Sequence, residues 1–285
     1  MKKTTKTLGL LMAVLMLGTL LTGCGKKQEA TGYVVLEEDL GAEQYGIGFR
    51  NTDVALGLEV QKQLDAMIED GTAAEISQKW FGEDILLKDA AYLEESTAAA
   101  DDDSLQKVKD KGTLILGLDD SFPPMGFRDE NDQVVGFDID LATEVAKRMG
   151  VELVIQPIDW DSKELELETG RVDCLWNGLS ITDERVAAMY FAKPYIANKQ
   201  IIIVPADSDI KTKDDLKDKV VGLQKGSTAL DALMADPIHE QVKEIPEYPD
   251  NVAAFMDVQT GRIDALVIDE VVGYYMMETG VSEAE

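Results

Sequence analysis

Thr169-Gly170-Arg171-Val172-Asp173 returns later in the chain as Thr260-Gly261-Arg262-Ile263-Asp264. Each copy follows a stretch of helical character and precedes an apolar run, Cys174–Trp176 in one case and Ala265–Ile268 in the other. Glycine after a last helical turn stops a helix, and the apolar run beyond it reads as a buried strand. Working outward, both regions read strand, helix, strand, helix, strand. The first assigns Thr113–Leu118, Ile139–Met149, Glu152–Gln156, Ser162–Glu168 and Val172–Trp176; the second assigns Val220–Leu223, Thr228–Met234, Gln241–Ile245, Asn251–Gln259 and Ile263–Ile268. Strands alternating with helices predict an α/β fold with mainly parallel sheets. Two such units predict two similar lobes facing a cleft, with the apolar stretch Lys199–Pro205 crossing between them.

The chain's 285 residues are enough for about two domains. With 45% hydrophobic and 29% charged residues the composition is globular. Lys+Arg 27 against Asp+Glu 55 gives a net charge of −28, which excludes a nucleic-acid binder that works by neutralising phosphates. One histidine, His239, and two cysteines, Cys24 and Cys174, leave no His/Cys zinc set, so no metal and no cofactor is expected. Lys2, Lys3 and Lys6 precede an apolar run from Leu8 to Leu21 that ends in Leu20-Leu21-Thr22-Gly23-Cys24. A basic start, a short apolar stretch and small residues read as a secretory leader, 1–23, too short to span a bilayer. The end of that leader resembles a bacterial lipobox, which implies that Cys24 is lipidated and holds the protein to a membrane. Cys174, in an apolar run, reads as a buried small hydrophobe rather than a nucleophile.

Ligands on such sheets bind outside the carboxyl ends of the strands. The loops there carry Asp119 and Phe122, Gly178 and Ser180, Arg185, the turn Gly226-Ser227-Thr228, and Asp269. Arg185 can fork onto a carboxylate. The helix start at Thr228 favours an anion, and Asp269 offers acceptors for an ammonium. A guanidinium and a helix start opposite a carboxylate are complementary to an amino-acid zwitterion. Each residue alone has a plainer reading: Arg185 paired at the surface with Asp183 or Glu184, Asp269 capping the helix after it, Phe122 as ordinary core.

Leu114–Ala142, Trp176–Arg185 (WNGLSITDER) and Asp264–Val271 resemble the extracytoplasmic solute-binding proteins, family 3, that serve ATP-driven (ABC) importers of polar amino acids. The resemblance implies a two-lobed periplasmic-binding-protein-like (type II) fold that closes on its ligand by hinge bending. It implies that Arg185 clamps the α-carboxylate with help from Ser180 and Thr228. The Gly178 carbonyl and Asp269 would take the α-ammonium, Phe122 and Trp160 would cover the ligand side chain from two sides, and Asp119 would reach its distal group. The implied protein is not an enzyme. It is a lipid-anchored carrier on the outer face of a bacterial cell membrane, or periplasmic, that docks on an importer's permease. The alternatives are a lyase or dehydratase on the same fold, or a sensing module for a membrane receptor.

Tyr45–Arg50 and Asp70–Gly82 resemble the family's carboxyl-terminal segment, yet here they come first. The order therefore reads as a circular permutation. After the leader and a tether, 24–32, come a lobe 2 edge strand and hinge crossing, 33–44, and the displaced segment, 45–88, which packs on lobe 1. The old termini join through an acidic, Ala-rich linker, 89–103; lobe 1 is 104–198, and 199–285 is a hinge crossing and lobe 2. Val54–Ile68 and Thr72–Phe81 are expected as helices, the first burying Leu56, Val60, Leu64, Met67 and Ile68 and stopped by Gly71. A monomer is expected. A swapped dimer, in which 33–88 complete a neighbouring chain, and a broken tandem pair are the alternatives.

Overall fold

The computed structural model describes residues 32–93 and 97–280. The leader, Cys24 and the tether up to residue 31 lie outside the described residues. In chain order the elements begin with β1 (Tyr33–Val35), β2 (Ala42–Arg50), α1 (Val54–Asp70), α2 (Thr72–Phe81), α3 (Ser104–Lys111), β3 (Thr113–Leu118), β4 (Ser121–Phe122), β5 (Gly126–Arg128), β6 (Val134–Val135), α4 (Phe137–Met149) and β7 (Glu152–Pro157). They continue with α5 (Lys163–Glu168), entered through a 3-10 turn at Trp160–Ser162, then β8 (Cys174–Ser180), α6 (Asp183–Ala188), β9 (Met189–Phe191) and β10 (Ile196–Pro205). The last are β11 (Val221–Gln224), α7 (Thr228–Ala235), β12 (Glu247–Tyr248), α8 (Asn251–Gln259), β13 (Ala265–Asp269) and α9 (Glu270–Thr279).

The main sheet runs β12-β11-β13-β10-β2-β8-β3-β7. Its flanks are parallel, as the alternating pattern predicts: β3 pairs with β7 and β8, and β11 with β12 and β13. Its centre is antiparallel. Ile196–Lys199 of β10 pair with Tyr45–Ala42 of β2, and Gln200–Ile203 pair with Asp269–Leu266 of β13. One long strand thus serves both halves, and the expected crossing at Lys199–Pro205 begins three residues earlier, inside that strand. β1 pairs with its far end, Tyr33 opposite Pro205.

Two strands differ most from the reading. Gln241–Ile245 forms only a single bridge, Glu244 to Val220, and the edge strand is Glu247–Tyr248. Pro246 has no N–H to give a ladder there. The strand expected at Val172–Trp176 begins at Cys174 and runs on through Asn177-Gly178-Leu179 to Ser180. It extends because β2 lies antiparallel beside it, with Tyr45 opposite Ser180 and Gly46 opposite Leu179. Cys174 is fully buried, and burial raises its thiol pKa, so it behaves as a small apolar side chain.

α1 runs to Asp70, two residues past the expected end, and Gly71 at φ +88° stops it and starts α2. Leu56, Val60, Leu64 and Met67 are fully buried, while Ile68 is half-buried against them. Gln61 is buried too, and its side chain accepts from the Lys193 N–H at 2.9 Å. Both helices dock on α4 of the same chain. Arg148 bonds Asp70 at 2.8 Å and Thr72 at 3.0 Å; Lys79 and Trp80 both reach Asp140, at 2.6 and 2.7 Å. Leu64→Ala is expected to cost about 2–5 kcal/mol in urea unfolding, as for a leucine in a close-packed core. A loss below about 0.5 kcal/mol would place α1 outside the cooperative unit.

Candidate functional site

β8 carries the chain to Ser180 with every residue buried. Thr182 then caps α6 by accepting from the Arg185 N–H at 3.2 Å. This places Arg185 in the first turn with its side chain folded back on the strand end, where Nη1 donates to the Ser180 carbonyl at 2.9 Å. Arg185 is only 8% exposed. It does not pair with Asp183 or Glu184; the acid beside it is Glu164, 3.9 Å from Nε. Burial lowers the pKa of this guanidinium, against the opposing pull of Glu164, Glu43, Asp231 and Asp269; an arginine stays charged through such a shift.

From Ser180 a run of polar side chains leads to Asp269. Ser180 Oγ lies 3.2 Å from Thr228 Oγ1, which accepts from Gln200 Nε2 at 3.2 Å. Gln200 Nε2 also meets Asp269 Oδ1 at 3.1 Å. Tyr45 donates its hydroxyl to the same oxygen at 2.8 Å, and Asn198 Nδ2 reaches it at 2.7 Å. Asp269 ends β13 and makes no side-chain cap to α9, so capping is not its role. Its carboxyl pKa is raised well above the ordinary value, by burial first and then by Glu43. Four predicted residues, Arg185, Ser180, Thr228 and Asp269, therefore share one connected buried cluster.

The remaining candidates flank it. Gly178, at φ +59°, presses against two rings: a Cβ there would lie 2.7 Å from Phe122 and 3.1 Å from Tyr45. Phe122 is buried, and it belongs to the main core as well as to this wall. Asp119 receives the Ser121 N–H at 2.8 Å and, from the end of β11, Gln224 Nε2 at 2.7 Å. Burial pushes its carboxyl up to about 7. Trp160 does not pack in Phe122's cluster; it sits with Leu167, Val172 and Leu175, with the Lys163 ammonium 5.1 Å from its ring centre.

The turn containing Trp160 meets the turn containing Gly226. Lys163 Nζ, almost fully buried, donates to the Gly226 carbonyl at 2.8 Å, and Arg185 Nη2 reaches the same oxygen at 3.2 Å. Lys225 pairs with Asp161 at 2.8 Å. Gly226 adopts φ +70°, and a Cβ would fall 2.8 Å from Asp161 Cα, so only glycine lets the turns touch.

Several residues here escaped the sequence reading. Asp138 opens α4 and holds Gly178 in place by accepting its N–H at 2.9 Å, and it also accepts from Tyr195 at 2.9 Å. Glu43, Asn198 and Gln200 escaped too. Their signal is the period of two: Glu43 and Tyr45 share one face of β2, and Asn198 and Gln200 share one face of β10.

Residues 114–247 match the model of the bacterial extracellular solute-binding proteins, family 3. The chain is 30% identical over 208 residues to the arginine-binding extracellular protein ArtP of Bacillus subtilis, covering 70% of this chain and 76% of that protein. It belongs to family 3 of the bacterial extracellular solute-binding proteins. It is also 34% identical over 174 residues to the L-cystine-binding protein TcyJ of Escherichia coli, covering 60% of this chain and 64% of that relative's length. A solved Streptococcus pneumoniae substrate-binding protein of an ABC uptake transporter, with bound histidine, superposes with a TM-score of 0.60 at 38% identity. That superposition covers 63% of this chain and 75% of the other. The fold of this family member is thus the α/β periplasmic-binding-protein type II fold, and these relatives are binding proteins, not enzymes. The family match takes in Asp119 through Thr228, and Glu43 and Asp269 lie outside it.

Two outcomes follow for this family member. Gly226→Ala is expected to lower stability by about 1–3 kcal/mol, the cost of a strained left-handed residue; thermal unfolding equal to wild type would show that the turns need not touch. Asp119 has a folded pKa of about 7, above its ordinary 3.8, so the stability it contributes is full below pH 4 and is lost as pH rises to about 7. The stability of Asp119→Asn relative to wild type should therefore rise between pH 4 and 7. A flat difference would mean that Asp119 titrates normally.

Proposed function

We propose that the protein captures a polar amino acid between two lobes that close about a hinge, and delivers it to the membrane permease of an ATP-driven importer. The observation that carries this reading is the buried polar run from Arg185 through Ser180, Thr228 and Gln200 to Asp269. It sets a guanidinium and an acid at the two ends of one buried run, the two charges that a zwitterion needs. Arg185 takes the ligand carboxylate, with Ser180 and Thr228 beside it; Asp269 and the Gly178 carbonyl take the ammonium. Phe122 and Trp160 line the side-chain region, and Asp119 faces its far end. The names of the relatives, which bind arginine, cystine or histidine, support a polar amino acid as the ligand class.

Lobe 1 comprises β3 to β9 with the segment 45–88 packed on it, lobe 2 comprises β11 to β13, and Leu36–Tyr45 and Lys199–Pro205 are the crossings. Closure requires a ligand that binds the closed form better than the open one. Contacts from both lobes to one small molecule supply that difference. The segment order is read as a circular permutation, with residues 45–88 filling the place of the family's carboxyl-terminal segment. Their seating on α4 and beside β8 supports it. Lipidation at Cys24 would hold the carrier on the outer face of the membrane.

Arg185→Ala is expected to weaken binding of the captured amino acid by a factor of about 100 or more. Two charge-assisted hydrogen bonds at about 1.5–3 kcal/mol each are lost. A thermal-shift screen of the twenty amino acids identifies the ligand, and calorimetry measures the loss. Micromolar affinity retained by the variant would remove the clamp from this reading.

A further inference from the structure

β10 is flanked on its two sides by carboxyls that its own amides join. Asn198 stands opposite Glu43 in the β2 pairing, and Gln200 stands opposite Asp269 in the β13 pairing. Asn198 Nδ2 lies 2.6 Å from Glu43 Oε1 and 2.7 Å from Asp269 Oδ1. Gln200 Nε2 lies 3.0 Å from the first and 3.1 Å from the second. The two carboxyls thus lean over one strand onto the same pair of nitrogens. Glu43 Oε2 also takes the Thr228 hydroxyl at 2.8 Å, which draws it into the polar run described above.

A second observation points to a donor at this spot. Gln200 is 1% exposed, and its Oε1 has no hydrogen-bond partner among the described residues. Buried acceptors left unpaired are costly and rare. Two carboxyls held on the same pair of amide nitrogens, beside an amide whose oxygen is unpaired, supply acceptors of the kind that the three N–H donors of an ammonium take. We infer that Glu43 is a specificity-determining residue of this site: with Asp269 it makes a two-carboxyl seat for one ligand ammonium, which enters in exchange for a proton. The inference deepens the amino-acid reading and rests on it.

The surroundings decide the sign. Facing the pair are Tyr45 on β2 and Arg185 on α6, and Asp231 on α7 acts on Arg185. Next to it, Lys199 on β10 is engaged by Asp39 and Glu270, each at 3.4 Å. Arg185 is the buried cation among them, and it already serves two backbone carbonyls. Burial and the neighbouring Glu43 therefore leave Asp269 holding its proton above the usual carboxylate range. An ammonium placed between the carboxyls reverses that balance and releases the proton.

The test compares wild type with Glu43→Gln, which keeps the shape and removes one carboxyl. L-Arginine and L-histidine are titrated by calorimetry from pH 5 to 8 in buffers of different ionisation enthalpy, which counts protons released per ligand. Asp119 titrates in both proteins, so the difference between them isolates the pair. Wild type should release more protons per ligand than the variant, by up to about one, and the variant should bind about tenfold or more weakly at pH 8. In the unliganded proteins, the melting temperature of Glu43→Gln relative to wild type should rise from pH 5 to 8, because only in wild type does a neighbouring carboxylate oppose the ionisation of Asp269. Equal proton counts and equal affinities in two proteins that both bind would overturn the seat and leave amino-acid capture standing. If neither amino acid binds wild type, the capture reading for these ligands and the seat built on it fall together.

Discussion

The pairing of β2 with β10 is the constraint on which the rest of the structure depends. β2 enters early in the chain yet lies at the centre of the sheet, between β10 and β8. Without it β10 would end half-paired, and the strands from β8 to β7 would lose their tie to those from β13 to β12. Side chains alternate across a strand, so a slip of one residue would turn Glu43 and Tyr45 away from Asp269 and present their neighbours instead. The register is also held on the face opposite Tyr45. A Cβ at Gly46 would lie 2.8 Å from Phe191 and 2.9 Å from Ile181, and one at Gly48 would lie 2.7 Å from Met189 and 2.8 Å from Leu179. Alternate positions of this strand must be glycine for its neighbours to pack down on it.

Much of the fold was legible because its signals are local. Thr113–Leu118 and Asn251–Gln259 lie where pattern placed them, and the stripe Leu56, Val60, Leu64, Met67 is the buried face of α1. Gly71 marks the break between α1 and α2 because only a residue at ease at positive φ turns the chain there. The extension of β8 to Ser180 was not legible, since its partner strand comes from a distant stretch of chain and no local pattern announces it. The strand expected at Gln241–Ile245 failed for a reason present in the sequence, Pro246, whose effect shows only once a ladder is attempted.

The site divides in the same way. Arg185, Ser180, Thr228 and Asp269 sit at strand ends or helix starts, where ligand contacts concentrate, and that placement picked them out. Glu43, Asn198 and Gln200 lie within strands. Their polar alternation acquires meaning only when β2 and β10 are laid side by side and Asn198 falls opposite Glu43. Asp138 hides for another reason. An acid in the first turn of a helix reads as a complement to the helix dipole, and nothing in the sequence shows that its carboxylate reaches Gly178.

The contacts between the two turns bear on how closure depends on a ligand. The Gly226 carbonyl receives both Lys163 and Arg185, Lys225 pairs with Asp161, and Gln224 reaches Asp119. On the capture reading all of these would favour a closed arrangement by themselves. Against them stand two costs of burial: Lys163 beside Arg185 at one end, where burial and the guanidinium lower the lysine pKa, and Asp269 beside Glu43 at the other, where burial and the second carboxyl keep Asp269 protonated. Charges held out of water cost more as the surroundings dry, so on the capture reading closure would raise both the repulsion at the first end and the cost of ionising Asp269 at the second. A molecule with a carboxylate at one end and an ammonium at the other relieves both penalties at once, and relieves them most where water is most excluded. On that reading its affinity for the closed form would exceed its affinity for the open form by the burial costs it relieves as well as by the bonds it makes, and that difference would shift the equilibrium.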